Sequence, residues 1–201
     1  MFTGIIQTIG QVTDKTHKSG DLRFVVKTNF SQPEKIQLGD SIAMDGVCLT
    51  VTEIEGDQVA LDVSVETVNK TTVGHWQIGH QLNLEPAMKL ADQLGGHLVS
   101  GHVDAKGVCV SRKVSARSEI FEFKIPVELM KFVVTKGSIT INGVSLTVNS
   151  IIDNTLSVNL VPHTMTHTNL GDLQINDEVN IEVDTIARYV EKMLQPHMKQ
   201  A

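Results

Sequence analysis

The stretch SIAMDGVCLTV, residues 41–51, comes back as SITINGVSLTV at residues 138–148. Gly46 stands opposite Gly143, Cys48 opposite Ser145 and Thr50 opposite Thr147, an offset of 97 residues. Without a gap, the same offset sets Thr67 against Thr164, Thr71 against Thr168, Gly74 against Gly171, Asn83 against Asn180 and Glu85 against Glu182. A chance match does not keep register over so long a span, so the chain is a tandem repeat. Carried backwards, the register sets Gly4 against Gly101, and FTGIIQTIGQV at the start corresponds to VSGHVDAKGVC. The segment GGHLVSGHVD, residues 95–104, is therefore the joint between the copies.

Within each copy, short runs rich in Val, Ile and Thr alternate with Gly, Asn and Asp, as in QVALDVSV and TLSVNLV, the pattern of strands and turns. Helical signals are few. PVELMKF opens at Pro126, AMKLADQL follows Pro86 in the same manner, and Asp184 is a good N-cap for Ile186, Val190, Met193 and Leu194 at helical spacing before Pro196. The expected fold class is all-β: two tandem, similar six-stranded Greek-key β-barrels, each closing its own sheet edges, with short helices and a C-terminal helix. The expected units are an N-terminal barrel over 1–96, a C-terminal barrel over 97–184, and a helix and tail over 185–201.

The chain has 201 residues with 17 Lys+Arg against 23 Asp+Glu, a formal net charge of −6. A polyanion needs clustered positive charge, and stacking on bases needs aromatic side chains, which make up 4% here, so no nucleic-acid partner is expected. MFTGIIQTIG lacks a basic lead and a long apolar core, and no apolar run approaches the roughly 20 residues of a membrane span. The expectation is a soluble, cytoplasmic protein with no membrane partner. Cys48 and Cys109 are too few for a disulfide framework.

His97 and His102 invite a metal or catalytic reading. On a strand, residues five apart point to opposite faces, and no Cys or carboxylate at matching spacing completes a ligand set, so no metal is expected. Packing at the joint, ligand binding and catalysis stay open for both. Cys48 reads equally as a small buried hydrophobe, Thr50 and Thr147 as plain β-formers, and Lys136 as a solvated turn residue.

MFTGI at the N-terminus, GV[C/S]LTV twice at one repeat's spacing, GGHLVSGHVD at the joint and KGSITINGVSLTV in the second half resemble the α-type riboflavin synthases, the lumazine-binding tandem-repeat family, over nearly the entire chain. The resemblance implies a dismutation in which one molecule of 6,7-dimethyl-8-ribityllumazine gives a four-carbon unit to another. The products are riboflavin and 5-amino-6-ribitylaminouracil, and no cofactor is needed. It also implies a homotrimer held by the C-terminal helix, with each active site between the N-terminal barrel of one subunit and the C-terminal barrel of its neighbour. Lumazine synthase is a candidate partner.

Carried over position by position, the resemblance puts Phe2, Ser41, Cys48, Thr50, Glu66, Thr67 and His102 at the N-terminal site. Lys136, Ser145, Thr147, Thr164 and Asp184 go to the C-terminal one. Backbone groups of Gly4, Ile5, Ile6, Asp62, Val63, Leu160 and Val161 are expected to bind the pteridine edge. Leu49, Ser64, Val65, Gly101, Val103, Leu146, Pro162, His163 and Met165 complete the substrate-binding set. The expected catalytic residues are His102 as a proton shuttle, Cys48 or Ser145 as the nucleophile, and Asp184 and Lys136 beside them. The copies diverge where Cys48 faces Ser145, Ile5 faces His102, Glu66 faces His163 and Asp45 faces Asn142. Asn142 stands where many family members carry Asp, a change both turn-forming residues tolerate. The rival class is a lumazine-carrying antenna protein of the same fold, which binds without turnover.

Overall fold

The computed structural model describes residues 1–18, 20–31 and 36–198; the last residues of the expected C-terminal segment, 199–201, lie outside them. The first copy contributes strands β1 (Thr8–Lys18), β2 (Asp21–Lys27), β3 (Ser41–Met44), β4 (Val47–Glu55), β5 (Gln58–Val63) and β6 (Gln81–Pro86), with helix α1 (Val65–Lys70) before β6. These close a Greek-key barrel in the order β1-β2-β5-β4-β3-β6, in which β6 pairs back onto β1. The second copy contributes β7 (Ala105–Ser115), β8 (Ser118–Lys124), β9 (Ser138–Ile141), β10 (Val144–Thr147), β11 (Ser150–Ile152), β12 (Thr155–Leu160) and β13 (Glu178–Val183), with α2 (Pro162–His167) before β13 and α3 (Thr185–Met198) after it.

The second sheet runs β10-β9-β13-β7-β8-β12-β11 and has seven strands where the sequence pattern predicts six. The physical difference is local. β4 turns through a bulge between Val51 and Glu53, and Thr52 Oγ1 bridges it to the Ala60 carbonyl at 3.0 Å. At the matching place Val148 and Asn149 leave the ladder, splitting the strand into β10 and β11. Asn149 N–H still reaches the Ser157 carbonyl at 2.8 Å. The second unit is thus a six-stranded plan with one strand broken, and its sheet ends at β10 and β11 instead of closing its edges as expected.

Alternate residues fill two cores. Phe24, Leu61, Trp76 and Leu84 centre the first, and Phe121, Phe123, Ile139 and Ile181 the second. PVELMKF forms a 3-10 turn over Val127–Phe132. AMKLADQL, expected to be helical, is not. Ala87 and Met88 amides are taken by the Ser41 and Met1 carbonyls, which holds the chain extended past β6, and Asp92 Oδ2 accepts the Lys89 amide at 2.7 Å in a local turn that competes with a helix.

The copies meet across a local twofold axis. Asp45-Gly46 and Asn142-Gly143 form hairpin turns with φ of 45° and 79°, and 44° and 81°, and the two turns lie back to back. A Cβ on Gly46 would stand 2.7 Å from the Gly143 nitrogen, and one on Gly143 2.8 Å from the Gly46 nitrogen. Asn83 and Asn180 cross the axis: Asn83 Nδ2 donates to the Asn142 carbonyl and Asn180 Nδ2 to the Asp45 carbonyl, each at 2.9 Å. Asp45 Oδ1 accepts the Asn83 amide as Asn142 Oδ1 accepts the Asn180 amide. Asn142 therefore repeats the geometry of the aspartate it replaces.

Two outcomes are expected. Gly46→Ala should cost about 2 kcal/mol or more beyond Gly56→Ala, which shares the left-handed conformation (φ 60°) but has nothing within 4 Å of its added methyl. Urea unfolding of both variants checks this, and equal costs would remove the steric role of the axis. Burial raises the Asp45 carboxyl to about 7 against the bonds it accepts from Asn83 and Asn169, with His80 Nε2 4.0 Å away. A raised acid stabilises the fold below its unfolded value near 3.8 and loses that contribution as pH rises through about 7. Stability relative to Asp45→Asn should therefore fall between pH 4 and 8 by up to about 4 kcal/mol. Denaturant titrations across that window read it directly, the other buried carboxylates being common to both proteins.

Candidate functional site

The segment ahead of each barrel packs on the other barrel. Ser145 N–H donates to the Gly4 carbonyl at 2.8 Å, and Cys48 N–H to the Gly101 carbonyl at 2.9 Å. Ile6 packs against the second core and Val103 against the first. Where the segments cross, Phe2 and Val99, one repeat apart, bond to each other through both amides at 2.7 and 3.0 Å. Gly4 (φ 76°) and Gly101 (φ 78°) lie so close to the opposite strand that a Cβ would meet the Cβ of Ser145 at 2.5 Å and of Cys48 at 2.6 Å.

Each segment is anchored by its own barrel through a buried carboxylate. Glu85 accepts the Thr3 amide at 2.6 Å, the Thr3 hydroxyl at 2.7 Å and the Gly4 amide at 2.9 Å. Glu182 does the same for Ser100 and Gly101 at 2.7, 2.7 and 2.9 Å. Burial raises both carboxyls while these donors oppose the rise. Arg188, on α3, ties the second segment from outside, with Nη2 2.7 Å from Asp104 Oδ2 and 3.3 Å from the His102 carbonyl.

The two half-sites therefore share a backbone plan and differ in side chains. Around Ser145 the register sets Thr140 and Asp184, and His97 joins them, with Nδ1 2.7 Å from Ser145 Oγ and Nε2 3.2 Å from Thr140 Oγ1. Burial lowers the His97 imidazole while the Asp184 carboxylate acts to raise it. Asp184 also caps α3, its Oδ1 accepting the Ile186 amide at 2.9 Å. Around Cys48 the same positions hold Ala43 and Ala87, packed with Phe2 and Val99. Ser41 and Thr50 are cross-strand partners beside them. A cleft of about 750 Å³ opens at Ser41, Thr3, Glu85, Ala87 and Met88, a size suited to a small heterocycle. A second cleft of about 550 Å³ lies at the axis by Asp45, His80 and Asn142, and neither cleft is lined by any of the expected catalytic residues.

The remaining expected residues sit at matching strand ends. Asp62, Val63, Ser64, Val65, Glu66 and Thr67 close β5 and open α1, where Ser64 Oγ caps Thr67 and Arg23 holds Asp62 at 3.1 Å. Leu160, Val161, Pro162, His163, Thr164 and Met165 do so between β12 and α2, with the His163 ring stacked on His167 at 4.0 Å. Side chains of Phe2, Leu49, Val63 and Leu160 are buried in the cores. Ile5, His102 and Thr147 are exposed, Leu146 is half-buried, and Lys136 is an exposed turn residue at φ 68°. Sequence reasoning missed the engagement of His97 with Ser145, together with Thr140 and the two glutamate anchors. The Glu85–Glu182 match was the available signal for the anchors, whereas His97 lies ahead of the matched stretch of the second copy.

The lumazine binding domain family matches this chain twice, over residues 3–87 and 100–184. The riboflavin synthase of Photobacterium leiognathi is 43% identical over 195 residues, which is 97% of this chain and 89% of that one. That of Brucella abortus (strain 2308) is 40% identical over 200 residues, 97% and 98% of the two chains. Among solved structures, LumP complexed with riboflavin has a TM-score of 0.84 at 27% identity, covering 91% of this chain and 99% of that one. LumP complexed with 6,7-dimethyl-8-(1'-D-ribityl) lumazine has a TM-score of 0.82 at 26% identity with the same coverage.

The crossed anchoring has a measurable signature. Glu85→Ala should raise hydrogen exchange at the Ser145 amide, in the opposite barrel, by about tenfold or more while leaving the Cys48 amide protected, and Glu182→Ala should do the reverse. Exchange that rises only within the mutated barrel would contradict the crossing.

Proposed function

The chain belongs to the riboflavin synthase family, built of two lumazine-binding repeats, and we propose that its reaction is the dismutation of two molecules of 6,7-dimethyl-8-ribityllumazine. A four-carbon unit passes from one molecule to the other, leaving riboflavin and 5-amino-6-ribitylaminouracil. The observation that carries this reading, beside the kinship, is the pair of half-sites with one backbone plan and unlike side chains. Two copies of one substrate have to be recognised alike and then treated differently. Strand-end amides and carbonyls around Gly4, Ile5, Ile6, Leu160 and Val161 on one side, and Gly101, Val103, Asp62 and Val63 on the other, read the two pteridine edges. Side chains then divide the labour. His102, exposed beside the Cys48 half, moves the C7 methyl proton of one molecule. The polar cluster at Ser145 meets C7 of the other. Holding the two together supplies much of the acceleration, through association entropy spent on binding.

The functional units in this reading are 1–96, 97–184 and 185–201. The third supplies assembly. α3 presents Ile186, Tyr189, Val190, Met193 and Leu194 to solvent, an apolar stripe that needs a partner. Three copies bundled through it make a homotrimer whose unlike half-sites meet between subunits. No helix among the described residues is long and apolar enough to cross a membrane, and we place the trimer in the cytoplasm.

The likeness to LumP structures holding riboflavin or the lumazine makes a carrier the second reading. Incubation with 6,7-dimethyl-8-ribityllumazine separates the two. One riboflavin formed for every two lumazines consumed is expected, and saturable lumazine binding with no riboflavin would establish the carrier instead.

A further inference from the structure

We propose that His97 is a positioning residue for this reaction: its ring accepts the Ser145 hydroxyl proton in a hydrogen bond at Nδ1, fixes itself through Nε2–H on Thr140, and so holds the Ser145 oxygen with its lone pairs free for the bound lumazine. The inference deepens the functional reading and rests on it, since it takes the Ser145 half as a substrate site. Four observations carry it.

The ring spans both hydroxyls, at 2.7 Å to Ser145 Oγ and 3.2 Å to Thr140 Oγ1, so one tautomer satisfies both nitrogens. Its placement comes from the other copy. The His97 amide donates to the Thr3 carbonyl at 3.2 Å, and Thr3 is the residue that Glu85 grips. Gly96 lets the chain pass there, because a Cβ would lie 2.1 Å from the Thr3 carbonyl oxygen and 3.0 Å from Ser145 Oγ. The protonation state suits the role: burial favours the neutral ring, and the charged group acting on it is Asp184, from the end of β13. Finally, the arrangement exists once. The register positions of Thr140, Ser145 and Asp184 hold Ala43, Cys48 and Ala87 in the first copy, which offer no pair of hydroxyls to a ring. A ring needed only for packing at the joint would not require a hydroxyl on each nitrogen in one half alone.

The test uses full-length chains: wild type, His97→Gln, Ser145→Ala, the double variant and Thr140→Val. Steady-state turnover of 6,7-dimethyl-8-ribityllumazine is followed from pH 5.5 to 8.5, with lumazine binding read separately by fluorescence. His97→Gln is expected to lower kcat by about tenfold or more with KM changed by less than about threefold. Wild type should lose kcat as pH falls below the ordinary histidine value, about 6.5, because the protonated ring no longer accepts from Ser145, and this contribution to the acid limb should be missing from His97→Gln. The double variant should be no slower than the slower single variant, since both changes break one interaction. Thr140→Val keeps the imidazole, so it tests the idea even where His97→Gln folds poorly: it should keep lumazine binding, lower kcat less than His97→Gln does, and move the acid limb. A His97→Gln protein with wild-type kcat and an intact acid limb overturns the proposal, as do losses that multiply in the double variant or a Thr140→Val protein with an unchanged acid limb. A wild type that binds lumazine but forms no riboflavin overturns the enzymatic reading itself, and this role with it.

Discussion

Glu85 and Glu182 each bury a carboxylate against two backbone amides and one hydroxyl. Taking a carboxylate out of water costs several kcal/mol, and three short bonds to charged oxygens return about that much, so the net stability gained is small. What the anchors fix is geometry. Each holds a glycine in a left-handed conformation with its carbonyl aimed at the opposite barrel's GV[C/S]LTV strand. That strand bears Cys48 in one copy and Ser145 in the other, so both half-sites inherit their shape from a contact that crosses the axis. The lead segment of each barrel borders this strand of the other.

This crossing explains what sequence could and could not disclose. The repeat, its strands and the hairpin turns were legible because they depend on local pattern and an offset that never slips. Asp45-Gly46 and Asn142-Gly143 read as turns, and both are. The broken strand at Val148–Asn149 was not legible, since the matching residues in β4 pass the same point through a bulge. The helix expected at AMKLADQL does not form because pairing of Ala87 and Met88 with Ser41 and Met1, contacts remote in sequence, holds the chain extended there. His102 drew attention as the histidine within the register, yet His97, just outside it, is the one that engages Ser145. Its hydroxyl partners lie 48 and 43 residues away, and no spacing rule connects them.

Duplication followed by divergence usually leaves one copy idle or both alike. Here the backbone at the axis and along the lead segments matches between copies down to paired bonds, while the side chains at three register positions have split into an apolar set and a polar one. The constraint that prevented backbone drift is the shared axis. Gly46 and Gly143 touch, Asn83 and Asn180 reach across, and a shift in one copy would have to be matched in the other. Side chains facing the half-sites carry no such obligation, and there the copies were free to take different chemistry.

Arg188 links the helix with the apolar stripe to the loop that carries His102. Its guanidinium grips Asp104, and Asp104 in turn accepts the Val183 amide at 2.9 Å, so the clasp closes on the strand leading into the helix. The pose of α3 and the pose of the His102 loop are then coupled. Thermodynamic reciprocity makes that a two-way influence: whatever clamps the helix stiffens the loop, and a ligand that orders the loop must favour the clamped helix to the same extent.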